Sequence, residues 1–174
     1  MSFDIEKIYD LYHRDVYHFA LFYTNNRQEA EDITQETFIK IMKNIASLQN
    51  PERMKTWIFS IAKHTAIDLK RKQSFMQFLP DWIYEKASEE ATPENKVIQK
   101  KDWEELQEAL IKLKPTFRSV LILRGLKELS IKETAEIMGC SERKIRVDYH
   151  RAIQQMKRLV QVDEEGWGLN EQSK

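Results

Sequence analysis

Apolar residues recur at helical spacing along most of the chain, and the places where that spacing fails divide it into two parts. Over about residues 4–24 they fall at Ile5, Ile8, Tyr12, Val16, Phe19 and Phe22/Tyr23, which predicts a helix, and Asn25-Asn26 breaks it. A second helix is expected over about residues 28–45, its apolar side carrying Ala30, Ile33, Thr37, Ile41 and Ile45 with Phe38 and Met42 beside them. Residues 47–53, which contain Asn50-Pro51, read as a loop. A third helix over about residues 54–71 turns Met54, Trp57, Ile58, Ile61, Thr65 and Leu69 inward. Three amphipathic helices with short connections predict a small bundle.

Between residues 73 and 95 the period dissolves. Pro80, Pro93 and the polar run at 87–92 mark a linker, although Phe75, Phe78, Trp82 and Tyr84 are unusual in one and point to docking on something. Helical spacing resumes near Val97, with Trp103, Leu106, Leu110 and Leu113 in a stripe that ends before Pro115. A short helix is expected over 116–126. The reading is an all-α chain of two small helical domains, residues 1–74 and 97–162, joined by a flexible linker at 75–96 and followed by a disordered polar tail at 163–174.

Residues 131–157 carry the most specific pattern. Ser130 can cap a helix beginning at Ile131, and Glu133 lies in its first turn, where a carboxylate suits the helix dipole. Counting Ile131 as the first position, the fifth is the small Ala135, as a close helix crossing requires. The ninth is Gly139, which adopts a left-handed turn without steric penalty, and the fifteenth is the apolar Ile145. Ser141 can cap the second helix. With Ile137, Met138, Ile145, Tyr149, Ala152, Ile153 and Met156 in the core, the residues Arg143, Lys144, Arg146, Val147, His150 and Arg151 face outward. An αα-hairpin with a solvated basic face has part of this pattern. The combined Ala, Gly and Ile spacing with a basic face predicts a helix-turn-helix that reads base edges and phosphates in a major groove.

Composition adds to this through distribution more than through totals. Apolar residues make up 41% of the 174 and charged residues 32%, as in a soluble packed protein, and only four Gly and four Pro occur, which favours helix. The formal net charge is zero. Yet residues 51–72 hold six Lys/Arg against two Asp/Glu, and 141–158 again hold six against two. By contrast, residues 81–108 hold nine acids against four bases. Two basic islands separated by acidic chain fit contact with anions at two places. The single Cys140 excludes an intramolecular disulfide, and no Cys/His spacing suits zinc. Neither a signal peptide nor an apolar run of about 20 residues is visible, so no membrane insertion and no cofactor is expected.

Within the first basic island, Lys55, Lys63, Lys70, Arg71 and Lys72 offer phosphate contacts. The loop before it, Leu48-Gln49-Asn50, sets an apolar group and two amides beside the helix, a combination able to hold an unstacked base; a solvated polar loop would look the same. The second helix presents Asp32, Gln35 and Glu36 outward. Such a face usually meets only water. A partner for it would be polar and basic.

Taken in order, these segments resemble the extracytoplasmic-function class of sigma factors in the bacterial housekeeping-sigma superfamily. Residues 30–38, Ala-Glu-Asp-Ile-Thr-Gln-Glu-Thr-Phe, are similar to the family's segment for docking on the polymerase β′ subunit. Lys55–Ala62 and Ala66-Ile67-Asp68 are similar to its strand-opening and minus-ten-reading segment. Phe117–Arg124, Leu129-Ser130 and the helix-turn-helix through Ala152 are similar to its minus-thirty-five-reading domain. The resemblance spans residues 4–73 and 97–160. It implies a sigma factor that binds core RNA polymerase (β′ and β subunits), reads promoter DNA, promotes strand opening and is held in check by an anti-sigma factor in the bacterial cytoplasm. Asp32, Gln35 and Glu36 would contact core polymerase. Leu48, Gln49, Asn50, Lys55, Trp57, Lys63, His64, Lys70 and Arg71 would contact the minus-ten strand, and Ser141, Arg143, Lys144, Arg146, Val147, His150 and Arg151 the minus-thirty-five element. Two departures stand out: His64 replaces a common Asn, and Asp148 replaces a basic residue, which removes a phosphate contact or supplies an acceptor for cytosine.

A freestanding, dimeric helix-turn-helix regulator is the alternative, but it leaves the Asp-Gln-Glu face and the basic third helix without a use. An enzyme is not expected: His13, His18, His64 and His150 sit in different helices, without a nucleophile motif or a Gly-rich phosphate loop.

Overall fold

The structure is a computed structural model that describes residues 4–76 and 100–160. The predicted linker with Phe78, Trp82 and Tyr84, the expected helix start at Val97 and the polar tail lie outside the described residues. Among the described residues there is no strand. Seven α-helices are present: α1 (Ile5–Thr24), α2 (Arg27–Asn44), α3 (Met54–Met76), α4 (Lys100–Lys112), α5 (Pro115–Leu121), α6 (Ile131–Met138) and α7 (Glu142–Leu159).

Local chemistry sets most helix ends. The Asp4 carboxylate accepts from the Lys7 N–H at the start of α1, and Asn25 ends that helix in the left-handed region at φ 53°. The Asn26 side chain then accepts from the Glu29 N–H and opens α2. Pro115, which lacks an N–H, occupies the first turn of α5, where no intrahelical partner is needed. The loop expected at residues 47–53 is built from two short 3-10 turns, Ile45–Ser47 and Pro51–Arg53. The expected helix over 116–126 differs from expectation. After Leu121 it widens into a π-turn, Ile122–Leu126, in which Lys127 donates to the Ile122 carbonyl at 2.9 Å. That widening sets the Arg124 guanidinium 5.3 Å from the Tyr149 ring centre, and the buried Arg124 Nη1 donates to the Leu129 carbonyl.

Helices α1–α3 form the first bundle around Val16, Phe19, Ala20, Ile33, Ile41, Ile58, Phe59 and Ala62, all essentially inaccessible. Phe59 and Ala62 do this work alongside Ile58, whereas Trp57, Ile61 and Leu69 are only half-buried. Helices α4–α7 form the second bundle around Leu110, Leu113, Ile122, Leu123, Ile137, Ile145 and Ala152. The two bundles are packed together, α1 against α4 and α3 against α6, so that their buried apolar residues form one continuous cluster. No helix of the described residues is long and apolar enough to cross a membrane.

Candidate nucleic-acid interface

The turn between α6 and α7 takes the geometry its residues predict. Ser130 and Glu133 form a reciprocal capping box: the Ser130 hydroxyl accepts from the Glu133 N–H at 3.1 Å, and the Glu133 carboxylate from the Ser130 N–H at 2.8 Å. Gly139 closes α6 at φ 64°, and Cys140 N–H reaches back to the Ala135 carbonyl at 3.1 Å. The Ser141 hydroxyl accepts from the Lys144 N–H at 3.2 Å and starts α7. A Cβ at position 139 would meet no atom within 4 Å, so the penalty for replacing Gly139 is purely conformational. Gly139→Val is therefore expected to destabilise the protein by about 1–2 kcal/mol, measured by urea unfolding.

On α7 the six residues expected outward (Arg143, Lys144, Arg146, Val147, His150 and Arg151) are all exposed, while Ile145, Ala152 and Met156 are buried. Asp148 does not belong to that face. It is 5% exposed, and its carboxylate holds the Lys144 ammonium at 2.5 Å. It therefore neither accepts from a base nor simply deletes a phosphate contact. It ties down a neighbouring cation that the face would otherwise present. Arg146 reaches Glu142 at 3.4 Å, and the His150 ring nitrogen Nε2 lies 3.1 Å from Gln154 Nε2, both pairs exposed.

On α3 the picture is mixed. Lys55 is half-buried with its ammonium 4.0 Å from Glu133, and Arg71 is exposed. Lys70 pairs with Glu29 at 2.6 Å, and Gln73 donates to the same carboxylate at 3.0 Å, fastening the end of α3 to α2. Lys63 is not on an open face: it is 6% exposed and its ammonium donates to the Ile137 carbonyl of α6 at 3.0 Å. Burial holds that ammonium below the ordinary lysine range. Of the preceding loop, Leu48 is half-buried while Gln49 and Asn50 are exposed, and the Asn50 carbonyl oxygen is occupied by the Glu52 N–H at 2.9 Å.

A cleft of about 350 Å³ was not legible in the sequence. Lys40, Asn44 and Ser47 from the end of α2 line it with Trp57, Ile61 and His64 from α3. His64 Nδ1 lies 2.7 Å from the Ser60 carbonyl, which only accepts, so this nitrogen carries the proton and Nε2 is left for a ligand. Lys40 donates to Thr65 Oγ1 at 3.1 Å and so joins the two helices beneath the cleft.

Asp32, Gln35 and Glu36 are all exposed on α2. Gln28 donates to Asp32 at 3.3 Å, and Glu36 lies 3.7 Å from Lys40. Gln35 also borders a larger apolar cleft of about 710 Å³ between α1 and α2, lined by Tyr9, Phe38, Ile39 and Met42 among others. Tyr9 and Met42 are about half exposed, an apolar component beside the carboxylates that the helical period alone did not reveal.

Residues 8–75 match the model of Sigma-70 region 2, and residues 103–156 match that of Sigma-70 region 4. The chain is 34% identical over 157 residues to the ECF RNA polymerase sigma factor SigM of Bacillus subtilis, covering 89% of this chain and 94% of the relative. It is 33% identical over 156 residues to the RNA polymerase sigma factor YlaC of the same organism, covering 88% and 90%. Among solved structures it is similar to the sigma factor RpoE of Bartonella quintana, crystallised with the anti-sigma factor NepR. There the TM-score is 0.74 at 23% identity, over 91% of this chain and 97% of that one. These relatives are named for transcription initiation and not for catalysis. With both sigma regions in order and relatives matched along nearly their whole length, the chain belongs to the ECF RNA polymerase sigma factors.

Proposed function

We propose that this sigma factor divides its work among three surfaces. The outward face of α7 reads the minus-thirty-five element in a major groove. The loop Leu48-Gln49-Asn50, together with Lys55, Trp57, Lys63, His64, Lys70 and Arg71 on α3, holds the melted minus-ten strand. The Asp32, Gln35 and Glu36 face of α2 binds the polymerase β′ subunit. The observation that carries this reading is the α7 face, where Arg143, Arg146, Val147, His150 and Arg151 are exposed together behind a helix-turn-helix turn of the right geometry. A freestanding regulator would use that face as well, but would have no use for the carboxylates of α2. An anti-sigma partner and a cytoplasmic location belong to the same proposal; a structural relative was solved bound to an anti-sigma factor.

Gel filtration with core polymerase, followed by run-off transcription on randomised promoters, tests the reading and yields the promoter consensus. Absence of a comigrating complex would sink it. Arg146→Ala is expected to leave comigration intact and to lower promoter-specific transcription about tenfold, the worth of one base-edge contact of roughly 1–3 kcal/mol. Loss of comigration in that variant would contradict the division of surfaces.

A further inference from the structure

The basic residues assigned to the minus-ten strand are largely engaged by the chain itself. Lys63 is buried on the Ile137 carbonyl, Lys55 faces Glu133 at 4.0 Å, and Arg53 at the head of α3 faces Glu136 at 3.6 Å. All three partners lie on α6, the first helix of the helix-turn-helix. They place a peptide oxygen and two carboxylates opposite α3, the kind of acceptors that DNA phosphates would otherwise provide. On the far side the two bundles are joined again, by Lys127 on Asp15 at 2.5 Å and by the Arg118 guanidinium donating to the Tyr23 carbonyl at 3.0 Å. Meanwhile the α7 face stays exposed.

We propose that the free chain is closed on itself, with the acidic edge of α6 occupying the strand-binding face of α3 in place of DNA, and that binding of core polymerase opens it. The proposal rests on the reading of α3 as the strand-binding helix. Two physical points support it. Lys63 cannot donate to a phosphate while it donates to Ile137 from a site closed to solvent, so strand capture requires the bundles to part. Parting them also uncovers apolar residues of the shared cluster, which water disfavours. An opened chain therefore needs a partner, and the exposed face of α2 is available to one before opening. The exposed ion pairs at Arg53 and Lys55 contribute little individually. The buried Lys63 and the shared apolar cluster hold the closed form. A strand meeting the free chain binds more weakly, in proportion to the small open fraction.

The test uses the full chain with Cys140→Ser and dyes on Lys43→Cys and Lys157→Cys. Free in 0.1 M salt it is expected to show one high-transfer population, and added core polymerase to convert this to low transfer. A free chain already at low transfer, or one unchanged by polymerase, overturns the proposal. In a second arm, Arg53→Cys and Glu136→Cys in the Cys140→Ser chain are joined by a short cleavable bismaleimide. The joined chain is expected to comigrate with core polymerase yet to give at least tenfold less run-off transcript, and to bind a labelled 20-nucleotide single strand of mixed sequence at least tenfold more weakly within that complex. Cleavage restores both. Full transcription by the joined chain overturns closure as a block. Loss of comigration on joining would instead count against the α2 assignment, with the transfer arm still deciding whether the free chain is closed.

Discussion

Arg118→Met is expected to lower the unfolding free energy by about 3–5 kcal/mol, the range for removing a fully engaged buried cation. The guanidinium is 9% exposed and lies where two helices end. Its Nε donates to the Leu110 carbonyl at 3.0 Å, and Nη2 donates to Leu113 at 3.2 Å and also to Ile111, all near the C-terminus of α4. Its Nη1 donates to Tyr23 at the end of α1, and its plane lies 5.0 Å from the Tyr23 ring centre. The last carbonyls of a helix have no partner within it, and a cation there also meets the negative end of the dipole. Met fills a similar volume but leaves these oxygens in a dry site without a donor. Burial draws the Arg118 pKa down from its ordinary value, but arginine remains charged at any working pH. The loss is therefore expected to be independent of pH between 5 and 9, a range of about four units spanning the usual optimum of stability. Urea unfolding at several pH values checks it, and a loss under about 1 kcal/mol would contradict this account of the site. Arg118→Lys is expected to recover only part of the stability, because one ammonium cannot reach oxygens spread over two helix ends.

The second large effect concerns binding. Asp32→Ala combined with Gln35→Ala is expected to weaken association with core polymerase by one to two orders of magnitude, about 1.4–2.8 kcal/mol, without altering thermal stability. Both side chains are exposed, and the only hydrogen bond at stake among these two is the one from Gln28 to Asp32. Truncation therefore removes contact chemistry and little folding energy. Gln35 also borders the apolar cleft beside Tyr9 and Met42, so a partner helix would meet a polar rim around an apolar floor. Fluorescence anisotropy with labelled chain and core polymerase measures the change. Unaltered affinity would place the polymerase contact elsewhere on the molecule.

What was legible in the sequence was whatever is decided within one helix or one turn. The period of Ile8, Val16 and Phe19 defines α1. Ala135, Gly139 and Ile145 define the helix-turn-helix, because each answers to a backbone angle or a crossing distance a few residues away. The outward face of α7 followed directly. What was not legible depends on partners distant in the chain. Lys63 reads as a free phosphate ligand until Ile137, 74 residues later, is set against it. Arg118 reads as a surface base until Tyr23, 95 residues earlier, is found beneath it. Asp148 looked like part of the DNA face because helical position places it between exposed neighbours, yet it is buried and paired with Lys144. The cleft between Asn44 and His64 arises from two helices meeting at an angle, which no periodicity encodes.

The carboxylate of Glu133 serves two masters with two oxygens: Oε2 accepts from the Ser130 N–H, and Oε1 faces Lys55. The first duty belongs to the start of a helix, the second to the contact between bundles. Drift at this position is thus confined to residues that can still complete the cap, in practice Glu or Gln. Positions 53, 55 and 136 carry no such obligation, since their partners lie only across the divide. A lineage can accordingly tighten or loosen the clasp through those three positions alone, and set how readily each member of a genome's set of sigma factors yields to polymerase without redrawing the helix that reads DNA.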